Sequence, residues 1–192
     1  MHVTLTTPEF IVIAVIVVAV IVGIAAVFLQ IRRSRKERLQ RRFGLEYDRA
    51  VAAQGSERKA ETVLEDRQKR VENLPLRELA PGERERFLDR WKAVQLAFVD
   101  SPRGAVTEAE DVITAVMQAR GYPVTDFEQR AADISVDHPR VTENYRAAHT
   151  VEARLRAGQV TTTEDLRTAM IHYRALFDEL VQPMPAERRD AA

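Results

Sequence analysis

The sequence predicts an all-α fold, an N-terminal transmembrane helix followed by a small cytoplasmic helical bundle. Three observations predict it. Phe10 to Leu29 carries no charge; later segments repeat their apolar residues near every 3.6 positions; and no segment alternates like a strand.

The uncharged stretch "FIVIAVIVVAVIVGIAAVFL" comes first. At about 1.5 Å per residue its twenty residues match a hydrocarbon layer of roughly 30 Å. Most of them are Val or Ile, which favour strand in water. A lone strand leaves its backbone groups unpaired in lipid, however, so a helix is expected over 10–30. The start "MHVTLTTPE" lacks the cations of an export signal, and Arg32, Arg33, Arg35, Lys36, Arg38, Arg41 and Arg42 follow the stretch instead. Such a cationic flank marks the cytoplasmic side. The expectation is therefore a short extracytoplasmic tail (1–9) and a C-terminal domain facing the cytoplasm from the inner membrane. The seven cations are topology signals that can also meet anionic headgroups. Ala19 and Gly23 form one small-xxx-small pair, a weak signal for helix pairing.

Residues 31–72 read as a basic juxtamembrane segment and charged helical stalk, interrupted at "QGS", where Ser56 offers a cap. Val63, Leu64, Val71 and Leu74 make a thin stripe, with Arg67 where a coiled coil wants an apolar residue. Pro75 and Pro81 break the chain.

The bundle domain is predicted over 80–182. Phe87, Trp91, Val94 and Phe98 share one face of what reads as the central core helix. Ser101 and Pro102 open the next helix, which turns Ala105, Ala109, Val112, Ile113 and Val116 inward and stops at Gly121. "TDFE", Thr125 to Glu128, fits a capping box for a short helix. Asp137 reads as the cap of a helix starting near Pro139, with Val141, Tyr145, Ala148 and Leu155 inward until Gly158. The threonines before Glu164 cap a last helix that buries Leu166, Met170, Tyr173, Phe177 and Leu180. Residues 183–192 are too few and too polar to pack and read as a disordered tail.

Composition narrows the chemistry. With no Cys, disulfides, thiolate metal sites and a cysteine nucleophile are excluded. The net charge of zero hides an asymmetry: beyond residue 42 there remain 22 cations against 27 acids. That surface repels phosphate backbones, so no nucleic-acid partner is expected.

The densest polar stretch, 121–149, gathers Asp126, Glu128, Arg130, Asp133, Asp137, His138, Tyr145 and His149 as a candidate interaction surface or pocket. Imidazole with carboxylate suits a metal, but eleven residues separate the histidines, about 16 Å along a helix, and no HExxH pattern appears. General acid–base work by His138 beside Asp137 is the other enzymatic option. Against it, sequence neighbours seldom face each other, and Asp137 reads as a helix cap with His138 at the surface. Likewise Tyr145, Tyr173, His149 and His172 lie on or beside apolar faces, where such residues are usually core groups with hydrogen-bonded tips. Phosphate-binding glycine loops and G-x-S-x-G are missing, so no catalytic, cofactor or metal residue is assigned.

The succession "RRFGLEY", "ERERFLDRWKAVQLAFVDSP", "GYPVTDFEQRAADISVDHP", "NYRAAH" and "LRTAMIHYRALFDEL" resembles an uncharacterised family of bacterial single-pass membrane proteins, one transmembrane helix followed by a helical domain. The resemblance implies that architecture and brings no activity with it. The expected function is a membrane-anchored interaction or scaffold module, binding an unidentified protein partner or a second copy of itself, and not an enzyme. The alternative is a membrane-bound enzyme or ligand binder that uses 121–149.

Overall fold

A computed structural model describes residues 7–183, with side chains from Val18 onward. Among the described residues there are eight helices and no strand: α1 (Thr7–Phe43), α2 (Leu45–Gln54), α3 (Glu57–Glu72), α4 (Pro81–Asp100), α5 (Pro102–Ala119), α6 (Phe127–Asp137), α7 (Pro139–Arg156) and α8 (Thr163–Leu180). The fold is all-α, as the periodicity predicts. Of the predicted tails, 1–6 and 184–192 lie outside the described residues, while Thr7 to Glu9, predicted as tail, are the first turn of α1.

The chain divides into two units, 1–41 and 42–192. In the first, Val18, Val20, Ile21, Val22, Ile24, Val27, Phe28, Leu29 and Ile31 are all more than half exposed. At 100° per residue these positions spread over about 220° of the helix, and Ala19, Gly23, Ala26 and Gln30 fill the remaining arc. The Arg32 guanidinium lies 4.6 Å from the centre of the Phe28 ring. Among the described residues no helix is long and apolar enough to cross a membrane, so they do not support the predicted span. Within it, the residues whose side chains are described, Val18 to Leu29, cover about 18 Å of helix against roughly 30 Å of hydrocarbon. The side chains of Phe10 to Val17 lie outside the described residues. Of the seven cations, Arg32, Arg33, Arg38 and Arg41 are exposed, while Arg35, Lys36 and Arg42 are half-buried.

In the second unit α5 packs against α4 and α8, α7 against α8 and α6, α3 against α6, and α2 against α3 and α7. The core is the inward row of α5 meeting that of α8: Val112, Ile113, Val116 and Met117 face Leu176, Phe177 and Leu180, each fully buried. Trp91 stacks on Phe177 at 4.6 Å.

Three sequence expectations need correcting. First, α4 is an outer helix and not the central one: Trp91 and Val94 are buried, Phe87 and Phe98 only half so, and Leu96 and Val99 stand in solvent at 66% and 80% exposure. Its aromatic stripe is narrow, and the broader apolar faces of α5 and α8 take the centre. Second, the segment after Arg42 is not a stalk. Phe43, Tyr47, Ala50, Ala60, Leu64 and Val71 are buried, and α2 and α3 form a hairpin laid on α6 and α7. Gly44, at φ 51°, breaks α1 from α2, a turn the sequence reading missed.

Third, the caps around α6 shift by one. Asp126, not Thr125, accepts the Gln129 amide at 3.0 Å. Asp137 closes α6 and accepts the Tyr122 hydroxyl at 2.8 Å, leaving His138 to precede α7. A threonine, Thr162, caps α8 as expected, and it forms with Asp165 a capping box that the sequence reading did not name.

One junction ties distant parts together. The Arg77 amide donates to the Arg120 carbonyl at 3.0 Å, strapping the 73–80 connection to the end of α5. The buried Arg120 guanidinium donates to the carbonyls of Leu180 (2.6 Å) and Gln182 (3.2 Å), and Arg84 to that of Val181 (3.0 Å). These are carbonyls that the end of α8 would otherwise leave unpaired.

Candidate functional site

A groove of about 730 Å³ opens where the start of α6 approaches α7 and α2. Phe127 and Glu128 enter it from α6 and Asp126 from the cap before it, Glu143, Arg146, His149 and Arg154 from α7, and Arg49 from α2. Three of the predicted site residues, Asp126, Glu128 and His149, thus share one concave surface.

The others do not converge there. Asp133 is fully buried and takes Arg70 at 2.6 Å and Gln129 at 2.9 Å. Asp137 pairs with Tyr122, and His138 faces Glu179 through Nδ1 at 3.3 Å. Arg130 and Tyr145 belong to a buried cluster behind the groove. Asp133, Asp137, His138 and Tyr145 therefore do not form one pocket, because helical geometry turns them to four different neighbours.

Two buried ionic networks organise this side of the unit. In the first, the Glu46 carboxylate, 3% exposed, receives Arg146 at 2.8 and 3.3 Å, Arg49 at 3.3 Å and Arg67 at 3.4 Å. Arg67 also donates to Ser135 at 3.0 Å, and Arg146 to Glu128 at 2.6 Å, so α2, α3 and α7 meet at a single carboxylate and α6 is tied to it through the two arginines. Burial pulls the Arg67 pKa down and Glu46 pulls it back up.

In the second network Glu110 accepts Arg130 at 2.6 Å and the Tyr145 hydroxyl at 3.2 Å, and Arg130 Nε also reaches that hydroxyl at 3.1 Å. The Tyr173 hydroxyl makes no hydrogen bond of ordinary geometry, yet it lies near enough to Glu110 to be influenced by it. Burial pushes the Glu110 carboxyl above its usual range, outweighing Arg130 and the two tyrosines. Both phenols are raised, by burial first and the carboxylate second.

His149 stands between network and groove. Its ring stacks on Phe127 at 3.5 Å, and its Nδ1 lies 3.8 Å from Glu110 and 3.9 Å from Glu152. Glu152 is itself buried and paired with Arg156. Burial lowers the pKa of His149 and of His138, more than the neighbouring carboxylates raise it.

A folded-state pKa below the unfolded value near 6.5 means that the unfolded chain binds more protons, so both histidines contribute stability above pH 6.5 that is lost as pH falls through it. The raised Glu110 works the other way, taking up its proton in the folded state as the solution turns acid. Thermal melts from pH 7.5 to 5.5 are expected to show a falling midpoint. The fall should be smaller in a His138→Gln, His149→Gln double variant; an equal fall would exclude the histidines as its source.

The sequence reading missed Glu46, Glu110, Arg146 and Glu152, all of them buried. A signal did exist for Glu110. With Val106, Ile113 and Met117 it falls at −4, +3 and +7 on the apolar face of α5, and a charge in such a stripe must find a partner. Among the described residues no group of three or more His, Asp or Glu could hold a metal ion. What the arrangement offers is three guanidinium groups, one imidazole and the carboxylates of Asp126, Glu128 and Glu143 along a groove, with Glu46, Glu110 and Glu152 buried behind it. In comparisons with family models, curated proteins and solved structures, nothing matches this chain.

Proposed function

We propose that the chain is a membrane-tethered helical module, with residues 10–29 in the inner membrane, the first residues outside and the bundle on the cytoplasmic face. The observation that carries the reading is the collar of large apolar side chains from Val18 to Ile31, each more than half exposed, passing directly into Arg32, Arg33 and Arg35. Water tolerates single exposed apolar residues, but not so many over more than half the circumference of one helix. The cationic flank sets the orientation and meets anionic headgroups. An uncharacterised family of single-pass proteins, which the sequence resembles, has this layout.

The bundle then acts by binding a protein partner or a second copy of itself. The outer face of α4 supports this: Leu96 and Val99 are exposed, beside a shallow groove at Phe98, Met170 and Ile171. Expressed in bacteria, the chain should stay with the membrane after alkaline extraction. A reporter fused after Ala192 should read cytoplasmic, and the solubilised protein should run larger than one chain, an excess lost in Leu96→Glu, Val99→Glu. Recovery in the soluble fraction would overturn the anchoring. A monomeric mass with no bound protein would overturn the module.

A further inference from the structure

The arginines of the α2, α6 and α7 groove have an uneven set of partners. Arg146 is 92% buried at its side chain, and Glu46 holds two of its nitrogens in a fixed orientation. Its third nitrogen is taken at 2.6 Å by Glu128, whose side chain is 74% exposed. A preorganised guanidinium thus presents one edge to the groove, and a freely hydrated carboxylate covers that edge.

The two other guanidiniums on the groove have exchangeable partners as well. Arg49 sits 3.3 Å from Glu143, itself on the groove, and from the buried Glu46, and Arg154, which also donates to the Val160 carbonyl, lies 3.8 Å from Asp165. These separations are long beside the roughly 2.7–2.9 Å of a strong charge-assisted bond. The exposed pairs with Glu143 and Asp165 contribute little and exchange readily for a better anion, whereas the buried Glu46 stays in place.

We propose that this groove binds a small, doubly charged oxyanion, a phosphate or a dicarboxylate, and that Glu128 is its intramolecular stand-in, displaced on binding. Two charges are needed because a single one only replaces what Glu128 already supplies. A second negative group gains Arg49 and Arg154, which reach the same groove from α2 and from the far end of α7. The ligand is small because the groove is about 730 Å³ and the surrounding unit carries more acids than bases, which repels a polyanion. The site does not depend on whether the apolar segment lies in a bilayer.

Isothermal titration of the full chain in a neutral detergent at low salt tests this, with inorganic phosphate, succinate and acetate as probes. Phosphate or succinate should bind saturably, at least about tenfold tighter than acetate, and weaken with added salt. Glu128→Gln, which removes the competitor and leaves Arg146 in place, should tighten the dianion several-fold. Arg49→Gln and Arg154→Gln, shown folded by circular dichroism, should each weaken it several-fold. The tighter of phosphate and succinate identifies the oxyanion. Failure of both to bind wild type and Glu128→Gln would overturn the proposal, as would affinities unchanged in Arg49→Gln and Arg154→Gln or acetate binding as tightly as the dianions.

Discussion

Glu46→Ala is expected to destabilise the helical unit by about 3–5 kcal/mol, the cost of leaving a buried charge without its partner. The carboxylate neutralises Arg146, itself buried, and Arg67, only 14% exposed at its side chain. Without it, two guanidiniums remain in a poorly hydrated space with only Glu128 and Ser135 to accept from them. Chemical denaturation of the wild type and the variant measures the difference. Removing both charges should hurt less than removing one, since an ion pair replaced by apolar groups of similar volume is often neutral in stability. Glu46→Met with Arg146→Met is therefore expected to recover part of the loss. A Glu46→Ala cost under about 1 kcal/mol would mean that water reaches the hub and screens it as at a surface.

Gly121→Ala is expected to cost about 2–3 kcal/mol, combining a left-handed backbone with a backbone collision. At φ 91° the residue adopts a conformation that side chains disfavour, and an added Cβ would stand 2.5 Å from the Pro75 carbonyl oxygen. That oxygen belongs to the connection held against the end of α5 by the bond from Arg77 to Arg120, so it cannot retreat without breaking the strap. A thermal midpoint lowered by several degrees is the readout for a unit of this size. Gly158→Ala is the control, with φ 68° but nothing within 4 Å of the added carbon. It isolates the conformational part and should lose clearly less; equal losses would show that the approach of Pro75 relaxes freely.

How much of this the sequence disclosed depended on the kind of force involved. Apolar periodicity is a local pattern, and the inward rows of α5 and α8 were legible residue by residue, from Val112 to Val116 and from Leu166 to Leu180. Breaks made by proline and glycine were legible too, at Pro81, Pro102 and Gly121. Rank among helices was not: α4 carries the one tryptophan yet lies outside, because centrality depends on how wide a face each neighbour offers.

The charged residues were harder still. Glu46 and Arg146 are a hundred positions apart, and nothing in "FGLEYDRA" or "ENYRAAH" says that they meet. Within 121–149 the sequence marked a polar surface, and the structure spreads those residues over a groove, two buried networks and a helix junction. Only Asp126, Glu128 and His149 stayed together, since the start of α6 and the middle of α7 are brought side by side by the stacking of Phe127 on His149.

Arg120 has a consequence larger than its size. Its carbonyl holds the connection leaving the α2 and α3 hairpin, and its side chain holds the last turn of α8, so the earliest and latest parts of the unit share a fastening. Neither end can fray without loosening the other. Opening events that in a simple row of helices would stay at the margins are here coupled, and the whole array should come apart in one transition instead of peeling from its tips.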